Sequence, residues 1–111
     1  MGRKTDAEIM PGTLDMLILD TLQRGPLHGY GIAQHIKRRS DEVLRVEEGS
    51  LYPALQRLLL NGWVTAEWKL SDTKRRARYY KLTAAGRKQL GFEVSSFERM
   101  VAAIGRVMRP A

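Results

Sequence analysis

The sequence predicts a mainly helical α+β fold: three helices, a β-hairpin and a long C-terminal helix. Three observations carry this expectation. Apolar residues recur at helical spacing in three segments before residue 62. The period then drops to two over residues 64–70, and a short aromatic run follows at 78–82. Beyond Thr83 a helical period resumes and persists almost to the end of the chain.

Residues 1–11 read as a flexible N-terminal arm, polar and ending in Pro11. Thr13 is placed to cap the first helix, in which Leu14, Leu17, Ile18 and Leu22 form an apolar stripe. Gly25-Pro26 ends it, because proline cannot continue the hydrogen-bond ladder. A second helix is expected over about residues 28–39, with Ile32, Ala33 and Ile36 inward and Lys37, Arg38 and Arg39 in the last turn, where cations suit the helix dipole. Gly29 and Gly31 lower helix propensity at its start, so they are assigned to close backbone packing. Ser40 to Val46 reads as a polar connection.

The third helix is marked by Leu51, Leu55, Leu58 and Leu59 on one face. Pro53 places its first turn near residues 48–50, with Glu48 or Ser50 as the cap, and Asn61-Gly62 stops it. Val64, Ala66, Trp68 and Leu70 alternate with polar residues, as in a half-buried strand. A basic loop over 71–76 and a second strand over 78–82 complete the hairpin. Thr83 opens the last helix, which runs to about Met108. Along it Leu90, Val94, Phe97, Val101, Ile104 and Met108 are spaced 4, 3, 4, 3, 4, an a/d seam of nearly three heptads.

This order is that of a winged helix-turn-helix, residues 12–83, followed by a dimerisation helix over 84–111. With 111 residues there is one domain plus one appended element. A 25-residue helix projects past a three-helix core, so its seam calls for a second copy of the chain. The absence of Cys rules out disulfides and Cys-ligated metal sites. No apolar run approaches the roughly 20 residues of a membrane span, and the expected location is the cytoplasm.

Lys and Arg number 19 against 12 Asp and Glu, a net charge of +7. The excess is local. Residues 1–62 carry eight basic and eight acidic side chains, whereas Lys69 to Lys88 holds eight basic residues against Asp72. A basic hairpin beside a helix with an exposed polar face points to double-stranded DNA as partner. Ser50, Pro53, Gln56, Arg57 and Leu60 point away from the leucine face, and Tyr52 lies on its boundary. Ser50 can meet a phosphate at the helix N-terminus. Gln56 and Arg57 can read adenine and guanine edges, while Lys74, Arg75, Arg76 and Arg78 neutralise phosphates.

Several blocks then carry a family resemblance: Gly12-Thr13-Leu14-Asp15, Gly25-Pro26-Leu27-His28-Gly29-Tyr30, Glu48-Gly49-Ser50-Leu51-Tyr52-Pro53-Ala54-Leu55, Asn61-Gly62-Trp63-Val64 and Tyr80-Lys81-Leu82-Thr83-Ala84-Ala85-Gly86. Over about residues 12–90 the chain resembles the PadR family of bacterial transcriptional regulators, in its compact subfamily. The wing from Arg75 to Tyr80, the Gln34-His35 pair, Trp63 and Trp68 look closest to the acidobacterial-type branch. The resemblance implies a homodimeric repressor on a palindromic operator. Ser50, Tyr52 and Pro53 match the start of the recognition helix, Lys74 to Arg78 the wing, and Leu90 to Met108 the dimerisation helix. It also implies a small aromatic effector, for which Trp63, Trp68 and Tyr80 are the candidates, although large aromatics in such a wing more often belong to the core.

No enzyme is expected. His28 and His35 have no partner triad, no phosphate loop or nucleophile elbow occurs, and His28 suits a packing or capping role. Asp41-Glu42 and Glu47-Glu48 read as solvated loop pairs, so neither a metal nor a cofactor is assigned. The rival reading is a winged-helix module that binds RNA or assembles with protein, without operator specificity.

Overall fold

The computed structural model describes residues 11–110. Its elements run α1 (Pro11–Leu22), β1 (Leu27–His28), α2 (Gly29–Arg39), α3 (Glu48–Leu60), β2 (Val64–Leu70), β3 (Arg76–Leu82) and α4 (Ala84–Met108). This is the winged helix-turn-helix order. Residues 1–10 of the expected arm lie outside the described residues, while Pro11 already begins α1, where proline's missing N–H costs nothing. Thr13 is therefore inside the helix and not its cap.

The core gathers one face of every helix. Leu14, Ile18, Leu19 and Leu22 come from α1, Ile32 and Ile36 from α2, Leu51, Leu55 and Leu58 from α3, and Leu90 from α4. Val64, Tyr80 and Leu82 close it from the sheet. Each such aliphatic side chain contributes roughly 1.5–3 kcal/mol of burial.

α1 unwinds at Gly25, whose φ of +142° few other residues tolerate. The chain then makes β1, two residues that pair antiparallel with β3 through Leu27↔Tyr80 and His28↔Tyr79. The sheet order is β1-β3-β2, so the wing is tied to the entry of α2. The His28 side chain caps α2, its Nδ1 accepting from the Gly31 N–H at 2.9 Å. Gly29 and Gly31 do admit close neighbours. A β-carbon would lie 2.9 Å from the Tyr52 hydroxyl at Gly29 and 2.8 Å from the Leu27 side chain at Gly31.

Two expectations about α3 need correction. Its N-cap is Glu47, which makes no side-chain capping bond, and not Glu48 or Ser50. Pro53 lies in the second turn, one turn deeper than expected, and so withholds from the Gly49 carbonyl its usual donor. The C-terminus is a Schellman motif around Gly62 at φ +75°: the Gly62 N–H donates to Leu59 O and the Trp63 N–H to Leu58 O, each at 3.0 Å.

β3 begins at Arg76, two residues earlier than the sequence predicts, because Leu70↔Arg76 and Lys69↔Ala77 pair in register. The wing tip is thus Ser71 to Arg75. Lys74 turns at φ +64°, its N–H donating to Ser71 O at 2.9 Å, and the Ser71 N–H donates to Arg75 O at 2.8 Å. Thr83 caps α4 as predicted, accepting from the Gly86 N–H at 2.9 Å while its hydroxyl donates to Gly62 O at 2.8 Å.

Candidate nucleic-acid interface

α3 presents an open outer face because only Leu51, Ala54, Leu55 and Leu58 turn fully inward. Ser50, Pro53, Gln56, Arg57 and Leu60 are all exposed, as the periodicity implies. Tyr52 is 47% exposed and still packs its hydroxyl beside Gly29, so it joins the start of α2 to the surface of α3. Arg57 is not a free cation. Its Nη2 donates to Asp15 Oδ1 at 2.8 Å, an ion pair that joins α3 to α1.

The wing carries cations on both sheet faces. Arg76 and Arg78 share a face with Tyr80, while Lys69 and Lys81 share the other with Tyr79. Three are braced by aromatic rings: Lys69 Nζ lies 4.7 Å from the Tyr79 ring centre, the Arg76 guanidinium 5.3 Å from that of Trp68, and the Arg78 guanidinium 5.9 Å from that of Tyr80. Such contacts contribute about 0.5–1 kcal/mol each at exposed sites and restrict where the charge can go. Lys74 and Arg75 stand at the exposed tip.

The three candidate effector residues differ in exposure, although the register puts Trp68 and Tyr80 on one face of the sheet. Tyr80 is a core residue, and burial pushes its hydroxyl pKa up against the opposing pull of Arg78. Trp63 is half-buried against that core, whereas Trp68 is exposed on the wing. The seam of α4 also divides. Leu90 is buried and Val94 packs against their own domain, but Phe97, Val101, Ile104 and Met108 are exposed, joined by Met100 and Val107.

Sequence reasoning has no surface role for Tyr30 and Gln34. One turn apart on α2, they border an open cleft of about 490 Å³ together with Gly49 and Tyr52 of α3. Tyr30 is 70% exposed, an unusual position for a ring with no internal task. Its setting between two glycines is the available sequence signal.

Fold and surface together define a winged helix-turn-helix protein with a basic wing, an open third helix and a partly uncovered last helix. Residues 18–91 match the transcriptional regulator PadR-like family, and the chain belongs to that family. Its members are transcriptional regulators and not enzymes. The chain is 30% identical over 77 residues to the negative transcriptional regulator PadR of Bacillus subtilis, covering 69% of this chain and 42% of that protein. It therefore spans less than half the length of that relative. It is also 30% identical over 93 residues to the transcriptional regulator Rv3488 of Mycobacterium tuberculosis, covering 84% and 83% of the two chains. Among solved structures, a transcriptional regulator from Clostridium thermocellum superposes with a TM-score of 0.81 at 31% identity, covering 88% of this chain and 95% of that one. A PadR-like transcription factor from Bacteroides fragilis gives 0.71 at 31%, covering 87% and 91%. Among the described residues no helix is long and apolar enough to cross a membrane.

Proposed function

We propose that this protein is a homodimeric, sequence-specific DNA-binding repressor that recognises a palindromic operator. One observation carries the reading: α3, with an exposed outer face, leads directly into a hairpin on which Lys74, Arg75, Arg76 and Arg78 are all exposed. α3 enters the major groove, with Ser50, Tyr52, Pro53, Gln56 and Arg57 as its contact residues, and the wing follows the phosphates. Affinity and salt dependence then come from the wing, whereas specificity comes from the nearly neutral α3.

The exposed stripe Phe97, Val101, Ile104 and Met108 supports a two-fold dimer through α4. Such a dimer sets two α3 helices on half-sites about one DNA turn, ~34 Å, apart. Of the three aromatics considered for a small aromatic effector, Trp68 is the most open to one.

Selection of bound duplexes from a random pool tests the proposal. The expected result is one inverted repeat enriched over all other sequences. Enrichment of no motif, or equal affinity for RNA hairpins, leaves a winged-helix module without an operator and overturns the repressor reading.

A further inference from the structure

The outer face of α3 is not uniform. At roughly 100° per residue, the line opposite the buried Leu51, Ala54, Leu55 and Leu58 passes through Gly49, Pro53, Gln56 and Leu60. All four are exposed, Leu60 to 79%. Arg57 stands off that line by roughly 70°, on the flank facing α1. There its guanidinium meets Asp15, whose side chain is only 17% exposed. The pair is solvent-accessible at the Arg57 end and partly shielded at Asp15, so it orients the guanidinium toward α1 without burying a charge. When a helix lies in a major groove, the centre of its outer face meets the base edges, and its flanks meet the phosphate walls.

Resting on the DNA-binding reading above, we infer that Asp15 is a positioning residue that holds Arg57 against the groove wall, so that base reading passes to the central line of α3. Arg57 then contacts phosphate and does not read guanine. The groups left at the base edges are Gln56, whose amide matches adenine, and the apolar Pro53 and Leu60, which match the thymine methyl. The half-site segment under α3 is therefore built of A·T pairs.

Selection from random duplexes, together with the salt dependence of binding to the enriched site, tests this on five proteins: the full chain, its Arg57→Ala, Asp15→Asn and Gln56→Ala variants, and the Asp15→Asn, Arg57→Ala double variant. Arg57→Ala should keep the motif, weaken binding evenly across sequences, and flatten the slope of log K against log salt by about one for each protomer. Gln56→Ala should lose the preference at one adenine per half-site. Asp15→Asn releases Arg57 and should add a guanine preference at one position, which a second change at Arg57→Ala removes. A simple loss of packing would not create that preference. If Asp15→Asn does not fold, Asp15→Ser, which also removes the carboxylate and frees Arg57, takes its place.

Relaxation at a single base position in Arg57→Ala would overturn the inference, as would an Asp15 variant with the motif of the full chain. So would replacement of thymine by deoxyuridine under α3 with no loss of affinity. Each of these leaves the repressor reading standing, because a motif has still been enriched. If the full chain enriches no motif at all, the repressor reading falls and this inference falls with it.

Discussion

Gly86 packs its α-carbon against the main chain of Trp63, so closely that a β-carbon would overlap the Trp63 carbonyl oxygen. The obstructing atoms are those of the Trp63 carbonyl, with Leu82 Cδ1 beside them at 2.8 Å from that β-carbon, and the same carbonyl accepts the Thr83 N–H at 3.1 Å. Neither partner can move without opening the base of the hairpin.

Gly86→Ala should therefore destabilise the protein, by about 1–3 kcal/mol, as overpacking does. At an exposed helix position the same change stabilises by about 0.5–1 kcal/mol, so the sign separates the two cases. Urea unfolding monitored by circular dichroism reads it. Equal or greater stability in the variant would show that the contact yields.

Stability should fall on mild acidification through His35. Burial lowers its pKa from the usual 6.5, and Arg24, Arg39 and Arg38 lower it further against a small opposing effect of Asp20. With the folded value below the unfolded one, the unfolded chain takes up the proton first as pH drops. The neutral-state advantage is thus complete above about pH 6.5 and is lost progressively below it. His35→Gln should flatten the pH dependence of the unfolding midpoint in that window. An unchanged profile would assign the acid sensitivity to other groups.

The exposed stripe on α4 predicts a self-associating helix. Val101→Ser together with Ile104→Ser should yield a monomer in sedimentation at micromolar concentration, with helical content retained. Operator affinity should fall about 10²-fold as the second half-site loses its tethered partner. If the variant sediments like the full chain, the interface lies elsewhere.

Wing substitutions should act evenly on all sequences. Arg75→Ala and Arg76→Ala should each flatten the salt slope by about one per phosphate contact removed, with the enriched motif unchanged. Arg76→Ala should also alter Trp68 fluorescence, since that guanidinium lies 5.3 Å from the Trp68 ring centre. Loss of preference at one base would show that the wing reads sequence.

Much of this molecule is legible in its residues, and the exceptions have physical causes. α4 runs from Ala84 to Met108 as the apolar spacing and Thr83 imply, and β2 spans Val64–Leu70 as its alternation implies. Only Val64 and Ala66 of that strand reach the core, however; Trp68 and Leu70, expected on the buried side, are exposed because the wing projects past it. β1 was hidden because two residues carry no period, and Leu27 and His28 are extended through pairing with Tyr80 and Tyr79. Arg76 reads as loop by charge but is a strand residue through Leu70. At the site, the outward face of α3 follows from the leucine spacing. The ion pair of Asp15 with Arg57 does not, since the partners are 42 residues apart and only the packing of α1 on α3 brings them together. Tyr30 and Gln34 go unnoticed for the same reason, because the cleft they border exists only once α2 and α3 are assembled.

The hairpin is clasped at its base, and nothing at its tip takes part in the clasp. Thr83 binds the carbonyls of Gly62 and Trp63, one through its hydroxyl and one through its N–H, and β1 grips β3 at Tyr79 and Tyr80. Ser71 to Arg75 extend beyond all of these ties. The tip is therefore an interchangeable part: a longer, shorter or differently charged turn grafted between Leu70 and Arg76 should leave the scaffold unaltered, and on the proposed reading it would retune the grip on DNA without refolding the domain.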